Sequence, residues 1–398
     1  MTTTLPLSRS SAACCCCAGD SLALHDVDHV RFFVGNAKQS AHYWASAFGF
    51  QVAQVADLTT GSREEASYLL TQGNIRLVLT SALGGSHPAA HEVERFGDGV
   101  KDVAFTVRDA KHAFQLAVAR GATPTQEPTT ATDDTGSVTT ASVKTFGRVV
   151  HTFISRGGGY AYDRMRAGGP FLPKFQATTS ALNHHNAKHP VGLLCVDHLV
   201  GNVRLGEMNP TVAWYEKVMG FNLFKHFDDK DISTEYSALM SKVMDSGAGL
   251  IKIPINEPAE GRRKSQVQEY LDFHDQTPGV QHLAFRTDDA LQTVAELHRR
   301  GVEFLHLPDE YYESVWARVA KQLGHEVRED HEAIHKLGIL VDADDKGYLL
   351  QIFTKPVQDR PTLFIEIICR RGSDSFGKGN FRALFESLEL EQQRRGNL

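Results

Sequence analysis

Three side chains in the second half of the sequence have the types and surroundings expected of metal ligands. His198 lies in the segment CVDHLV, His282 in QHLAF and Glu366 in LFIEII. Because alternate residues of a strand face the same side, each can share an inward face with apolar neighbours. A carboxylate inside an apolar strand is costly to bury without a cation beside it. Two imidazoles and one carboxylate that leave coordination positions open are typical of the facial triad of non-haem Fe(II) oxygenases.

An internal repeat places these three candidates in equivalent positions of two copies. The segment VDHV recurs as VDHL, and GVKDVAF recurs as GVQHLAF. A weaker match aligns VHTFISR with FIEIICR, where only the final Arg and the apolar pattern recur. In the first copy the three corresponding positions hold His29, Asp102 and, on the weaker match, Thr152. One copy therefore keeps a metal-capable set, and the other does not.

Each of these side chains also has a simpler interpretation. The chain contains 19 histidines, and a single histidine on a strand is more often a hydrogen-bonded core or surface residue than a ligand. The simpler role for Glu366 is an ion pair with an arginine. The equivalent placement of all three residues in a duplicated fold favours one shared metal site over three separate roles.

The repeat also predicts the architecture that positions these residues. Each copy begins with a strand, continues through a helix closed by a Gly-Phe turn, and then supplies β-rich runs around a second helix. The prediction is an α+β fold of two related domains of paired βαβββ modules forming open barrels, with the metal in the C-terminal one and a C-terminal gating helix. The predicted units are a disordered Cys-containing tail at 1–24, an N-terminal domain without metal at 25–156, a linker with little regular structure at 157–190, and a C-terminal catalytic domain at 191–398.

Composition and charge exclude several classes of partner. A chain of 398 residues with 41% hydrophobic and 23% charged residues suits a globular protein of two domains. No apolar run is long enough to span a bilayer. The net charge is -6, and the Lys and Arg residues are scattered. Neither a membrane nor a nucleic acid is therefore an expected partner.

The six cysteines indicate a reducing compartment. Cys195 and Cys369 stand alone in apolar segments, and the run of four at residues 14–17 is no disulfide framework, because neighbouring residues rarely reach disulfide geometry. We therefore expect a cytoplasmic protein. The Cys run could bind a metal or accept a lipid, but it lacks spaced partner ligands, so we interpret it as part of the tail.

Longer segments of the sequence match a known family. IPINEP, KSQVQEYL, LLQIFTKP, DRPTLFIEII and FGKGNFRALFE resemble the 4-hydroxyphenylpyruvate dioxygenase family of the vicinal oxygen chelate superfamily. The resemblance runs from about residue 25 to the C terminus, and its motifs are most specific over residues 195–386. It implies one Fe(II) per subunit, O2 as co-substrate, and conversion of 4-hydroxyphenylpyruvate to homogentisate and CO2 in tyrosine and phenylalanine catabolism. It also implies a homodimer or homotetramer.

The resemblance further implies the residues of the substrate site. Those expected to bind substrate are Ser241, Asn256, Gln266, Gln281, Phe364 and Phe376. Those expected to take part in catalysis are Gln351, Phe353, Asn380 and Phe381. A regular strand would turn Gln281 to the face opposite its neighbour His282, so its place in the pocket conflicts with strand geometry.

The C-terminal stretch predicts a helix that covers the cavity. We expect Asn380 to cap it and an apolar stripe to run along it. Packing alone could explain the stripe. The resemblance adds a gate in which Phe376 and Phe381 stack about the aromatic substrate, with Gly377 and Gly379 as hinges.

Three other interpretations stay open. A 4-hydroxymandelate synthase resembles this family and uses the same iron, oxygen and substrate but hydroxylates the benzylic carbon; Asn256 and Phe381 favour the ring-hydroxylating branch. A metal-free ligand-binding protein of the same superfamily is disfavoured by the intact triad. Two His and one Glu could also hold Zn or Mn.

Overall fold

The computed structural model describes residues 22–227, 238–247, 251–259 and 264–397, with side chains except those of residues 238 and 382. The Cys run at residues 14–17 and most of the predicted tail lie outside these ranges. No helix within them is long and apolar enough to cross a membrane.

The first half of the described chain forms one mixed sheet with helices packed on it. Its strands are β1 Leu24–Phe33, β2 Gln51–Ala56, β3 Glu65–Gln72, β4 Ile75–Ala82, β5 Gly99–Val107, β6 Thr123–Asp133, β7 Gly136–Lys144, β8 Val150–Gly158 and β9 Gln176–Ala177. Its helices are α1 Ala37–Phe48, α2 Pro88–Phe96, α3 Ala110–Ala119, α4 Tyr162–Arg166 and α5 Ala181–Lys188. The strand order is β6-β7-β8-β5-β1-β4-β3-β2-β9.

The second half forms a second sheet of the same kind. Its strands are β10 Leu193–Asn202, β11 Asn222–Phe227, β12 Ala238–Asp245, β13 Lys252–Ala259, β14 Gly279–Thr287, β15 Leu340–Ala343, β16 Tyr348–Phe353 and β17 Phe364–Arg371. Its helices are α6 Met208–Trp214, α7 Gln266–Phe273, α8 Ala290–Arg299, α9 Asp309–Leu323, α10 His331–Leu337 and α11 Phe381–Arg394. The order is β11-β12-β13-β10-β14-β17-β16-β15.

The two sheets confirm the predicted duplication. Without β9, the first sheet read backwards from β2 to β6 has the same strand order as the second sheet read from β11 to β15. In this comparison β1, β5 and β8 take the places of β10, β14 and β17. The pairs β5–β8 and β14–β17 are both parallel. Both opening helical segments end at a Gly in the left-handed region, Gly49 at φ 75° and Gly220 at φ 70°, which a residue with a Cβ adopts only at a cost. The predicted Gly-Phe turns therefore close both segments.

The connector between the halves has more regular structure than predicted. β8 continues to Gly158, and α4, β9 and α5 lie within the stretch expected to be irregular. Ser180 caps α5 by accepting a hydrogen bond from the backbone of Leu182. Asn183 then bonds both the N–H and the C=O of Val52 on β2. Polar residues of this connector therefore cap a helix and bond to the first sheet, where an irregular linker was predicted.

A buried histidine joins the two halves. His151 on β8 is fully buried, with Nδ1 3.1 Å from the carbonyl oxygen of Val103 and Nε2 2.8 Å from the hydroxyl of Tyr215 in the second half. Burial lowers the pKa of His151 to about 4. The imidazole is therefore neutral at physiological pH.

We expect the protein to lose stability as the pH falls from 6.5 towards 4. The unfolded chain binds a proton on residue 151 near its ordinary pKa of 6.5, whereas the folded state resists protonation down to about 4, so protons favour unfolding in this window. The loss from this residue is on the order of 2–3 kcal/mol. Urea unfolding at several pH values measures it. His151→Gln should flatten the slope, and His112→Gln on an exposed helix position should not; equal slopes in all three proteins would refute the assignment.

Candidate metal centre

Three adjacent strands bring the predicted ligands together. In the register of β10, β14 and β17, His198 and Glu366 flank Ala284, while His282 lies between Val200 and Phe364. The exposed fractions of His198, His282 and Glu366 are 4%, 8% and 4%. Their ligand atoms all lie within 4.8 Å of one another. This is the only such group of His, Cys, Asp or Glu in the described part of the chain.

Neighbouring side chains fix which imidazole nitrogens face the centre. Asp197 Oδ1 lies 2.9 Å from His198 Nδ1, and Gln281 Oε1 lies 2.9 Å from His282 Nδ1. Each acceptor holds the proton on Nδ1, which leaves Nε2 free to bind a cation. The two Nε2 atoms lie 3.2 Å and 3.4 Å from Glu366 Oε2. The donor set is therefore oriented for a metal cation, which it fits in number, charge and chemistry.

The pKa values of the three triad side chains are shifted in different directions by their surroundings. Burial opposes ionisation of Glu366, but the charges and hydrogen bonds of His198 and His282 lower its pKa to about 2. Burial likewise opposes a proton on His198, but Glu366 and Asp197 together raise its pKa. For His282 burial prevails, and its pKa is lowered despite Glu366. Without a metal, the carboxylate is therefore ionised and counterbalanced mainly by His198.

Gln281 reaches the cavity through an irregularity in its strand. Val200 pairs with His282, and the next residue, Gly201, pairs with Val280, so Gln281 is an extra residue in a β-bulge. Its side chain therefore lies on the same side as His282 and lines the cavity, and the bulge removes the conflict with regular strand alternation. Phe32 and Arg31 show the same shift opposite Lys101 in the first half.

Gln281→Leu is expected to weaken metal binding by about 10-fold to 100-fold, as is typical when a partner of a metal-bound histidine is removed. Leucine cannot accept the Nδ1 proton of His282, so the ring loses the bond that orients it. Equilibrium dialysis with the metal measures the affinity. The control is Gln268→Leu, because the Gln268 amide contacts Asp272 and Gln276 at an exposed position. An unchanged affinity in the Gln281 variant would contradict the orienting role.

The triad opens into a cavity with mostly apolar walls. Its space, including the open mouth, measures ≈ 560 Å³, within the range of small-ligand sites. Of the predicted substrate and catalytic residues, the cavity is lined by Ser241, Asn256, Gln266, Gln281, Phe353, Phe364, Phe376 and Phe381. The Phe364 ring stacks on His282 with centroids 4.7 Å apart. Polar groups are therefore few and placed among aromatic faces, as in sites that orient one aromatic ligand.

Residues 373–380, here called the covering segment, and the helix α11 close one side of the cavity. Phe376 lies edge-on to His198 with centroids 5.1 Å apart. Phe381 lies edge-on to Phe227 at 5.2 Å. Leu384 and Phe385 of α11 line the same cavity, which agrees with the predicted apolar stripe. These groups separate the triad from solvent.

Two predicted catalytic residues do not line this cavity. Gln351 is buried on β16, and Gly377 of the covering segment packs so closely on its side-chain amide that a Cβ there would clash. Asn380 is fully buried, but its Oδ1 accepts a hydrogen bond of 2.7 Å from the Tyr311 hydroxyl. Its side chain makes no capping bond to α11. Asn380 therefore occupies the predicted N-cap position but does not make the expected capping bond, because its side-chain oxygen is directed to Tyr311.

Among the described residues of the first half, the positions equivalent to the triad form no metal-capable group, and their polar groups bond one another. Asp102 accepts hydrogen bonds from the backbone and the hydroxyl of Thr152. Thr152 pairs with Ala104 on β5 as Glu366 pairs with Ala284 on β14. The weak match of the third repeated segment is therefore the correct structural register.

The sequence interpretation missed two groups beside the triad. Asp197 holds His198, and Arg370 donates two hydrogen bonds to Asp197, at 2.8 Å and 2.7 Å. Burial alone would raise the pKa of Asp197, but the bonds from Arg370 and His198 hold it well below its ordinary value. The signal was present, because the Asp before the first His and the Arg after the third position recur in both copies.

A family model, curated relatives and a solved structure all match most of this chain. The model of the Glyoxalase/Bleomycin resistance protein/Dioxygenase superfamily matches residues 26–144 and 196–352. A 4-hydroxyphenylpyruvate dioxygenase from Dictyostelium discoideum is 45% identical over 93% of this chain and 99% of that protein. One from Danio rerio is 46% identical over 93% and 91%. The solved structure of a triple mutant of 4-hydroxymandelate synthase from Streptomyces coelicolor superposes with a TM-score of 0.79 at 29% identity, covering 93% of this chain and 99% of that one.

Proposed function

Since this chain belongs to the 4-hydroxyphenylpyruvate dioxygenase family, within the glyoxalase/bleomycin resistance protein/dioxygenase superfamily, we propose that it converts 4-hydroxyphenylpyruvate and O2 to homogentisate and CO2. The observation that carries this function is the buried triad of His198, His282 and Glu366 opening into an aromatic-walled cavity. Family membership supports the choice of substrate, and the triad with its cavity supports the location of the reaction.

We propose Fe(II) as the metal, held by His198, His282 and Glu366. When bound, it would supply Lewis acidity toward the 2-oxo acid of the substrate and redox chemistry toward O2, which no protein side chain provides. The substrate carries its own 2-oxo acid, so the overall reaction needs no second organic co-substrate. One oxygen atom of O2 ends in the new carboxylate, the other in the ring hydroxyl, and the original carboxyl group leaves as CO2.

The protein's own residues bind the substrate and keep water away. Phe353 and Phe364 offer aromatic faces with centroids 6.2 Å apart and nearly perpendicular planes, which suit the ring of the substrate. Asn256 and Ser241 are neighbours across β12 and β13, and each presents a polar group to the cavity. Gln266 and Gln281 lie together, with Gln281 Nε2 3.5 Å from Gln266 Oε1. We assign these four side chains to the oxygen atoms of the substrate, and Phe376 and Phe381 to exclusion of water.

A 4-hydroxymandelate synthase is the second candidate, because a mutant of such an enzyme shares the fold over 93% of this chain. Identity favours the first function: 45% with the dioxygenase from Dictyostelium discoideum against 29% with the synthase. A metal-free binding protein would have to bury Glu366 between two imidazoles with no catalytic purpose. We also propose a cytoplasmic homodimer or homotetramer; the free thiols of Cys195 and Cys369 support a reducing location.

Oxygen uptake tests the proposed function. Protein loaded anaerobically with Fe(II) should consume O2 and release CO2 in equal amounts when 4-hydroxyphenylpyruvate and oxygen are supplied. Metal-free protein should do neither, and Zn(II)-loaded protein should also be inactive, because zinc has no redox chemistry. Absence of uptake with iron demonstrably bound would reject this substrate and favour another 2-oxo acid or a binding role.

A further inference from the structure

One arginine beside the candidate metal centre holds two parts of the structure at once. Arg370 Nε donates to Asp197 Oδ2 at 2.8 Å, and Nη2 donates to Asp197 Oδ1 at 2.7 Å. Its Nη1 donates to the backbone carbonyls of Ser375 at 2.6 Å and Ser373 at 3.3 Å. The side chains of Arg370 and Asp197 are each 7% exposed. The guanidinium is therefore buried and bonded on both edges.

These contacts form a closed network of hydrogen bonds and ring contacts, here called a circuit, that links the candidate metal ligand His198 to the covering segment. Asp197 accepts from His198 Nδ1. Ser373 and Ser375 belong to the covering segment, and the next residue, Phe376, lies against His198 on one side and under the Arg370 guanidinium, 5.6 Å from its carbon, on another. A displacement of the covering segment would therefore pull on the group that orients His198.

The described part of the first half contains the same circuit but no metal-capable triad. Arg156 donates to both carboxylate oxygens of Asp28, at 2.9 Å and 2.7 Å, and His29 Nδ1 lies 2.8 Å from Asp28. The Phe171 carbonyl accepts from Arg156. The Phe171 ring lies 5.1 Å from the Arg156 guanidinium carbon and edge-on to His29 at 5.1 Å. The fold therefore builds the arrangement without help from a metal.

The two circuits differ in what their phenylalanine covers. Phe171 is fully buried and packs with Leu69, Val78 and Met165. Phe376 instead lines the candidate substrate cavity and retains 9% of its exposure. The circuit in the first half therefore closes over packed side chains, and the circuit in the second half closes over the space where a ligand binds.

We propose that Arg370 is a positioning residue that couples closure of the covering segment to the orientation of the metal ligand His198. The inference rests on the proposed function only in assigning a metal to the triad. A lysine at this position would keep the charge but not the rigid fork, so one ammonium would have to serve two carboxylate oxygens and two carbonyls. Arg370→Lys should therefore loosen both ends of the circuit.

The matched pair Arg370→Lys and Arg156→Lys separates coupling from simple structural support. Each variant removes the guanidinium fork from its own copy of the circuit, so both should lower the midpoint temperature of thermal unfolding by similar amounts. Only Arg370→Lys should lower the affinity for Co(II) or Fe(II), by about 10-fold or more, since groups that orient metal-bound histidines contribute on this scale. Only this variant should also speed amide hydrogen exchange in residues 373–377 of the metal-free protein. Metal affinity and exchange are both measured without substrate.

A second variant tests the coupling where no contact with the covering segment is changed. Asp197 bonds His198 and Arg370. Asp197→Asn keeps the shape of that side chain but weakens its hold on Arg370, so exchange in residues 373–377 should rise at a distance; Asp28→Asn is the control. If Arg370→Lys or Asp197→Asn lowered stability but changed neither the metal affinity nor the amide exchange of residues 373–377, the inference would be overturned. A change in the metal affinity alone, or in the exchange alone, would also overturn it. Wild-type protein that binds no metal would instead reject the metal site of the proposed function.

Discussion

Replacing Glu366 by glutamine is expected to remove metal binding and turnover while leaving the fold intact. The amide keeps the size of the side chain but lacks the negative charge that balances a divalent cation between two imidazoles. Substitutions of groups behind metal ligands cost about 10-fold to 100-fold in affinity, so loss of the single anionic ligand should cost on the order of 10³-fold or more. Metal content after dialysis and oxygen uptake measure the two effects.

A second buried glutamate provides the control for this substitution. Glu257 is 3% exposed, and its carboxylate accepts hydrogen bonds from the backbone of Gly206 and Met208 at the start of α6. Glu257→Gln should therefore lower stability but retain bound metal. A Glu366→Gln protein that binds iron with the affinity of the wild type would show that the carboxylate is no ligand.

The largest loss of stability is expected from Asp28→Ala in the first half of the chain, away from the triad. Asp28 and Arg156 have side-chain exposures of 0% and 1%, and the carboxylate also accepts from His29 and Thr106. Removing the carboxylate leaves a guanidinium buried without its partner, which typically costs about 3–5 kcal/mol. Urea unfolding measures the free energy, and metal affinity per folded molecule should not change.

An exposed pair of the same residue types is the matched control. Arg286 and Asp288 are 3.7 Å apart, with side chains 43% and 70% exposed, and such pairs contribute about 0–1 kcal/mol. Asp288→Ala should therefore have little effect. If the Asp28→Ala and Asp288→Ala proteins were equally stable, the buried pair of Asp28 and Arg156 would contribute no more to the free energy of unfolding than an exposed pair.

Much of the site could be predicted because the sequence repeats itself. A single histidine on a strand has many possible roles, but His198 and His282 occupy positions whose counterparts, His29 and Asp102, lie in the same slots of a second copy. Strand alternation then places ligand and apolar side chains on one face. The duplicated sheets follow from the same comparison, since equivalent segments build equivalent strands in equivalent order.

The remaining features depend on tertiary contacts that no local pattern reports. The bulge at Gln281 breaks the alternation that predicted its direction, and a bulge has no sequence signal strong enough to place it. Asn380 stands where a capping residue should, but Tyr311 lies 69 positions away and takes its oxygen. The partner of Asp197 lies 173 positions away. The recurring Asp and Arg hinted at that pair, although only the fold shows that they meet.

The identity of the reaction product distinguishes hydroxylation of the substrate ring from hydroxylation of its benzylic carbon. Fe(II)-loaded protein should be mixed anaerobically with 4-hydroxyphenylpyruvate, exposed to oxygen, and its product separated by chromatography beside homogentisate and 4-hydroxymandelate standards. These two products are isomers of equal mass, so retention and NMR must distinguish them. We predict homogentisate, formed one-for-one with CO2. Formation of 4-hydroxymandelate would keep the metal site but contradict the ring-hydroxylating assignment, and no product with iron bound would reject 4-hydroxyphenylpyruvate as the substrate.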